Sequence, residues 1–286
     1  MHRVPYELVQ LPNGTSAVRA SAYAEKMHPG PGPYFEAEHL HLAQLKIQER
    51  LPHESGEFVV WDVGLGAAAN ALALLRLTCA DCRPLRLISF DDTLDPLAFA
   101  LQHGEQLGYF GGYESAVASV LEHRQVDLSD GGHLVNWQVH VADFPTWISQ
   151  SNRTGVPRPH AIMFDPFSPA RNPVMWTRML FGNLFQALDP ARACLLTTYS
   201  RSTLVRVALL VAGFFVGRGS PSGAKEETTV AANQLALLDE PLERDWLERA
   251  RKSGSAEPLT DKNYRQAPLT ASTWEKLCAH PQFAGS

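Results

Sequence analysis

The residues with most chemistry to offer lie in two short segments of this 286-residue chain. The first, Asp62-Val-Gly64-Leu-Gly66-Ala-Ala-Ala-Asn70, is a turn in which two side-chain-free positions let a ligand approach the backbone closely. The second, Asp165-Pro-Phe-Ser-Pro-Ala-Arg-Asn-Pro-Val-Met-Trp176, carries prolines at 166, 169 and 173 and is therefore a stiff loop. In it Phe167 and Trp176 offer flat walls for a planar base, Ser168 and Asn172 offer hydrogen bonds, and Asp165 a carboxylate. A plain connector with Trp176 packed on the core would explain the tryptophan but not the polar residues between the prolines. For the first segment the obvious alternative is a dinucleotide fingerprint, G-x-G-x-x-G, but its third glycine is Ala69 here. Asp62, two places before Gly64, is also ill suited to a pyrophosphate and well suited to a cation.

Both segments follow strand-length apolar runs. Phe58–Val63 leads into the glycine turn, Leu85–Phe90 into Asp91-Asp92, Leu134–Val141 into Ala142-Asp143, and His160–Phe164 into Asp165. Ala193–Thr198 is a fifth run. Helical spacing fills the intervals: an Ala/Leu-rich stretch to about Leu77, stretches over 95–107 and 113–124, another over 173–188 and one over 202–212. Such alternation predicts an α/β fold with a doubly wound, mostly parallel, seven-stranded sheet, its last two strands within 214–217 and 228–237. Residues 1–55 read as a small N-terminal extension, with a hairpin at Asn13-Gly14, a break at Pro29–Pro33 and a helix over about 36–50. Residues 56–238 make the main domain, and the polar residues 239–286, with a helix near 241–252, a tail or lid. Ligands of open α/β sheets bind beyond the carboxyl ends of the strands, and here four strands in succession end in or beside an aspartate.

The acid-x-Gly-x-Gly turn resembles the first motif of S-adenosylmethionine methyltransferases, which implies that cofactor and a Rossmann-like fold. On that reading Asp62 serves the cationic end of the cofactor, Asp91 accepts both ribose hydroxyls and Asp143 meets the adenine amino group; otherwise these aspartates only cap helices. The second segment is more specific. It resembles the D-x-F-x-P-x-[KR]-N-P-x-M-W signature of the methyltransferase domain of the MnmC family, bifunctional enzymes of 5-methylaminomethyl-2-thiouridine synthesis in tRNA. Ile88-Ser-Phe-Asp91, Thr197-Thr-Tyr-Ser200 and Glu36-Ala-Glu-His-Leu are similar to further stretches of that family, so the likeness runs over about residues 6–235. Pro166 stands where the family has glycine, Val174 where an acid is common, and Ala68 where a third glycine is usual.

The resemblance implies N-methylation of an aminomethyl group on the wobble uridine. Asp165 is then the catalytic residue, Glu36 and Asn70 join the cofactor site, and Phe167, Ser168, Arg171, Asn172 and Trp176 meet the substrate. The chemistry suits those residues: a primary alkylamine, with a pKa of about 10.4, arrives protonated and without a lone pair. A carboxylate at Asp165 can accept its hydrogen bonds, turn the lone pair toward the methyl donor and help remove the proton. The implied partners are tRNA and, since 286 residues leave no room for an FAD-oxidase half, a separate oxidoreductase that supplies the aminomethyl substrate. The alternatives are a methyltransferase of a small-molecule or peptide amine, and a non-catalytic binding subunit of the same fold.

Composition sets the outer bounds. Hydrophobic residues at 45% and charged residues at 19% exclude a disordered chain. The start shows no secretory signal, and the longest apolar run, Val207–Val216, is far short of a membrane span, so a cytoplasmic protein is expected. Cys79 and Cys82 form a lone C-x-x-C pair, and His39 and His41 are too close together in sequence to share a helix face, so no metal is expected. No phosphate-binding G-x-x-x-x-G-K-[ST] loop and no G-x-S-x-G elbow occurs. A net charge of −5 argues at face value against nucleic acid, yet Ser151–Lys225 holds nine basic residues against only Asp165 and Asp189. Basic charge is thus concentrated in the segment bearing the stiff loop, with Gly217–Glu226 as a flexible basic loop on the substrate side.

Overall fold

A computed structural model describes residues 6–21, 25–27, 32–54, 56–80, 83–130, 133–150, 155–221 and 226–284. Most of the Pro29–Pro33 break, Cys82, Arg153 and Lys225, with the middle of the 217–226 loop, lie outside the described residues. Chain order gives strands β1 (Tyr6–Gln10), β2 (Ser16–Ala20), β3 (Glu25–Lys26), β4 (Phe58–Val63), β5 (Leu85–Asp91) and β6 (Gln125–Asp130). Then follow β7 (His133–Val141), β8 (Ala161–Phe164), β9 (Leu195–Thr198), β10 (Phe215–Gly219) and β11 (Thr228–Ala232).

The main sheet has eight strands in the order β10-β11-β9-β8-β4-β5-β7-β6, not seven. Its centre, from β9 to β7, is parallel, while β11, β10 and β6 run antiparallel to their neighbours. The added strand is β6. The helix before it, Glu114–His123, stops at Arg124 in the left-handed region (φ 65°), and the chain turns into a hairpin with β7. Successive side chains along β4 and β5 point to opposite faces, as the two-residue strand period requires. Phe58, Val60, Leu85 and Leu87 enter one core with helix Ala69–Thr78. Val59, Trp61, Val63, Ile88 and Phe90 enter the other, with helices Arg178–Ala187 and Thr203–Ala212.

The N-terminal extension does contain the hairpin, β1 with β2 in antiparallel register about residues 11–15, and β3 pairs on β2. The single helix expected over 36–50 is instead four pieces. A turn of α-helix (Pro33–Glu36) runs into a π-helix (Ala37–Leu42), Lys46 takes a left-handed conformation (φ 54°), and short helices at Ile47–Arg50 and Leu51–His53 follow. Likewise the stretch over 173–188 is divided. A 3-10 turn (Pro173–Trp176) ends at Thr177, whose hydroxyl accepts from the Leu180 amide (3.2 Å) and starts helix Arg178–Ala187.

Residues 239–284 hold helices Arg244–Lys252 and Ala271–Cys278, and only the first has a clear trace in the sequence. Leu242, Trp246, Leu247, Leu259, Leu277 and Phe283 are buried in the core on the β8–β9 side. Among the described residues no helix is long and apolar enough to cross a membrane.

Candidate functional site

Strand β4 is flanked by β5 on one side and β8 on the other, and the chain reaches them in opposite directions of winding. At such a switch point the loops leaving adjacent strands diverge and open a crevice. Here they frame a cavity of about 290 Å³ lined by residues from every strand end the sequence singled out. Gly64 and Gly66 form its floor with positive φ (95° and 51°), and the Gly66 amide donates to Asp91 Oδ2 (2.8 Å), tying the turn to the end of β5. Ala68, in place of the usual glycine, also adopts the left-handed region (φ 63°). Asp143 lines the cavity from the β7 end while its Oδ2 accepts from the Thr146 amide (3.0 Å), so it caps a helix and faces the cavity at once.

Asp165 closes the opposite wall. Its amide donates to the Val63 carbonyl (2.9 Å), which continues the β8 register by one residue and fixes where the side chain leaves the sheet. Asn70 Nδ2, from the first turn of the helix after the glycines, donates to Asp165 Oδ2 (3.0 Å). The stiff loop beyond is pinned at three points: Tyr199 Oη donates to the Pro166 carbonyl (2.8 Å), Trp176 Nε1 to the Phe167 carbonyl (2.8 Å), and Ser168 Oγ to Glu25 Oε2 (3.0 Å). Phe167 and Asn172 line the cavity, as does Glu36.

Five expected site residues are outside the lining: Asn70 and Ser168 meet it only through their bonds to Asp165 and Glu25, and the other three lie elsewhere. Asp62 is fully buried beneath the glycine turn, facing the core away from the cavity; its Oδ2 accepts from Ser89 Oγ (2.9 Å), which in turn accepts from Trp137 Nε1 (3.0 Å). Trp176 is no cavity wall: it is fully buried edge-on to Phe164 and Tyr199. Arg171 stands exposed at the loop tip, outside the lining. Conversely, no motif pointed to Tyr6, Glu25 and Met27, which the small hairpin sheet carries to the cavity from far away in the chain. Asp92, Thr93 and Tyr199 also line it.

The electrostatics are one-sided. Glu25, Glu36, Asp91, Asp92, Asp143 and Asp165 all contribute to the wall, and among its described residues is no lysine or arginine. Burial, reinforced by the neighbouring Asp92, pushes the Asp91 carboxyl up to about 7 against the pull of the Gly66 amide. A side-chain-free floor, an acceptor at the second strand end and carboxylates without counter-cations fit a ligand with hydroxyls, a sulfonium and an ammonium. The fit has a pH signature. Hydroxyl donors favour the ionised carboxylate, so affinity for S-adenosylmethionine should rise between about pH 6 and 8, by up to about tenfold per pH unit below the Asp91 pKa. Calorimetric titration at several pH values checks this, and Asp91→Asn should flatten the dependence.

Comparison with known proteins agrees with this geometry. The sequence profile of S-adenosyl-L-methionine-dependent methyltransferases matches residues 113–234. The tRNA 5-methylaminomethyl-2-thiouridine biosynthesis bifunctional protein MnmC of Psychrobacter cryohalolentis is 25% identical over 230 residues, covering 72% of this chain and 32% of its own length. Its counterpart in Ectopseudomonas mendocina is 29% identical over 237 residues, covering 77% and 34%. The chain thus spans about a third of the length of the curated relatives it matches. The crystal structure of MnmC2 from Aquifex aeolicus shares the fold, with a TM-score of 0.70 at 22% identity over 98% of this chain and 84% of that one. The profile match, on a fold and cavity that accommodate it, marks an S-adenosylmethionine-dependent methyltransferase. Within that class the chain is MnmC-like, similar to the methyltransferase part of the bifunctional proteins.

Proposed function

We propose that this protein transfers a methyl group to the nitrogen of an aminomethyl substituent on the wobble uridine of tRNA, in the cytoplasm, with an oxidoreductase supplying the aminomethyl base. The observation that carries the reading is the Asp165 carboxylate, turned into the cavity at the head of a loop that is pinned at three points. S-adenosylmethionine, when bound, supplies an electrophilic methyl group. Gly64, Gly66, Asp91 and Asp143 hold it, with Glu36 on the same wall. Asp165 accepts hydrogen bonds from the incoming ammonium, takes up its surplus proton and leaves the nitrogen lone pair directed at the methyl. The remaining rate gain comes from alignment, which a loop already fixed before substrate arrives provides at no further ordering cost. Phe167 and Asn172 give the base a face and a polar edge.

One observation favours a second reading, a small-molecule amine as substrate. Part of the basic charge expected to face a polyanion is engaged by partners within the protein, though of the described arginines there only Arg206 is buried. Arg206 is buried against Glu227 (3.0 Å), Arg218 approaches Glu227 (3.6 Å), Arg192 pairs with Asp189 (3.1 Å), and Arg158 donates to the Leu188 carbonyl (2.9 Å). Arg171, Arg178 and Arg201 are exposed, the last within 3.3 Å of Glu226.

The experiment is methylation of tRNA bearing aminomethyluridine by the purified protein, followed by nucleoside mass spectrometry. Methylaminomethyluridine at the wobble position is the expected product, and an unchanged wobble nucleoside overturns the tRNA reading. Run across a salt series, the same assay separates the two readings. Phosphate contacts make affinity fall steeply with ionic strength, by about 0.9 log units per tenfold salt for each duplex phosphate contact, whereas a small amine gives a shallow dependence.

A further inference from the structure

His41 lies directly behind Asp165. It is fully buried, its Nδ1 is 2.8 Å from Thr197 Oγ1, and its Nε2 is 3.8 Å from Asp165 Oδ2. That Oδ2 is the oxygen already accepting from Asn70 Nδ2. Two buried polar atoms of this cradle, His41 Nε2 and Asn70 Oδ1, have no hydrogen-bond partner within ordinary range. A buried polar atom left without a partner costs roughly 1–3 kcal/mol, so the placement calls for an explanation.

The backbone shows that the placement is built. His41 lies in the π-helix Ala37–Leu42, closed by an i to i+5 bond from the Ala43 amide to the Glu38 carbonyl (2.9 Å). Such turns are rare and concentrate at functional sites. A five-residue repeat brings residues five apart onto one face, and Glu36 and His41 are five apart. Glu36 reaches the cavity wall while His41 reaches the back of the Asp165 carboxylate. An uninterrupted α-helix would carry the two side chains well apart around its axis.

We propose that His41 is a positioning residue for Asp165, with Thr197 fixing its tautomer; this rests on the reading of Asp165 as the proton acceptor. The Thr197 hydroxyl donates to Nδ1, which leaves the imidazole proton on Nε2, facing the carboxylate. That proton and the Asn70 amide both face Oδ2 and fix the orientation of the carboxylate toward the cavity. The other charged or titratable groups around Asp165 are Glu25 and Glu36 across the cavity and the Tyr199 hydroxyl, whose pKa burial and these three carboxylates push well up. Both carboxylate neighbours favour protonation of Asp165, and His41 with Asn70 opposes them.

The test needs no substrate in its first arm. Long-range proton–nitrogen correlation on histidine-labelled protein reads the His41 tautomer. A proton on Nε2, lost in part to Nδ1 in Thr197→Val, is the expected result, and a proton on Nδ1 in the unaltered protein overturns the proposal. The second arm follows methylation of aminomethyluridine tRNA. His41→Leu should lower kcat/KM by on the order of tenfold and move the acid limb of its pH profile upward, as loss of an orienting partner does. His41→Gln, whose amide can stand in for Nε2–H, should restore most of the rate, and cofactor affinity should be unchanged in both. Equal losses in the two variants, or none in either, would count against a positioning role. If the unaltered protein methylates nothing, the functional reading fails while the tautomer arm still decides this inference. Should the buried-histidine variants fail to fold, the nearly isosteric Thr197→Val carries the test alone, through its tautomer shift and a smaller upward move of the same limb.

Discussion

Asp165→Asn should lower kcat for amine methylation by roughly 10²–10⁴-fold, the usual worth of a positioned proton acceptor. The substitution keeps the volume of the side chain, and the anchors of its loop come from other residues: Tyr199 on the Pro166 carbonyl, Trp176 on the Phe167 carbonyl and Glu25 on Ser168. The loop should therefore stay in place. The cofactor floor belongs to Gly64, Gly66 and Asp91, on the other side of β4, so calorimetry should find the cofactor Kd little changed. A large loss of rate with affinity retained marks an interaction made on the way to the transition state. Turnover near the wild-type rate would remove Asp165 from the chemistry, and a matching collapse of cofactor affinity would make it a binding residue instead.

Gly64→Ala should have the largest effect on the fold of the site. The residue has φ +95°, where an L side chain is strained, and an added Cβ would stand 2.8 Å from the Asp165 carbonyl oxygen and 3.0 Å from the Pro166 nitrogen. Both obstacles are backbone, and the second belongs to a proline loop with little freedom to retreat. Left-handed strain alone costs about 1–2 kcal/mol, and the collision must add to it by displacing the loop. Thermal melting should show a loss of several degrees, with cofactor binding and methylation failing together. Gly66→Ala is the built-in comparison: φ is +51° and the nearest atom is the flexible Met27 Sδ at 3.4 Å, so its penalty should be confined to backbone strain. Equal behaviour of the two variants would refute the argument from close approach.

Much of this site was legible in the chain because strand ends are local events. A run of apolar residues followed by Asp or Gly marks where a strand stops, and the doubly wound topology then gathers those stops at one edge. Gly64, Gly66, Asp91, Asp143 and Asp165 follow from that rule and do line the cavity. Asp62 satisfied the pattern but not the parity. It sits inside β4, where side chains alternate, and its turn falls toward Ser89 and the core. Trp176 was ambiguous for want of tertiary information; its indole packs inward and contributes to the loop only through Nε1.

What the sequence hid depends on distant pairing. Strand β6 alternates Val126 and Leu128 with polar residues on an edge, a weak signal beside the longer run of β7. Glu25 belongs to a two-residue strand, and its bond to Ser168 spans 143 positions. The π-helix departs from the 3.6-residue spacing on which helix recognition rests, so its face carrying Glu36 and His41 could not be read in advance. The concentration of arginines in 151–225 was real as composition, but helix placement buried Arg206, and Arg158 and Arg192, on irregular segments, are engaged by the Leu188 carbonyl and Asp189.

The acidic wall also constrains how a substrate can be presented. A cavity whose described lining carries six carboxylates and no lysine or arginine is a charge filter: an ammonium is drawn in, and a phosphate is turned away at the mouth. A polyanion that delivers the reacting amine would therefore have to halt with its backbone outside and extend a single base inward. Reach then becomes a selection rule. On the proposed reading, only a side arm long enough to carry its nitrogen to Asp165 while its chain stays at the rim would be methylated, and an amine tethered more closely to its phosphates would stop short.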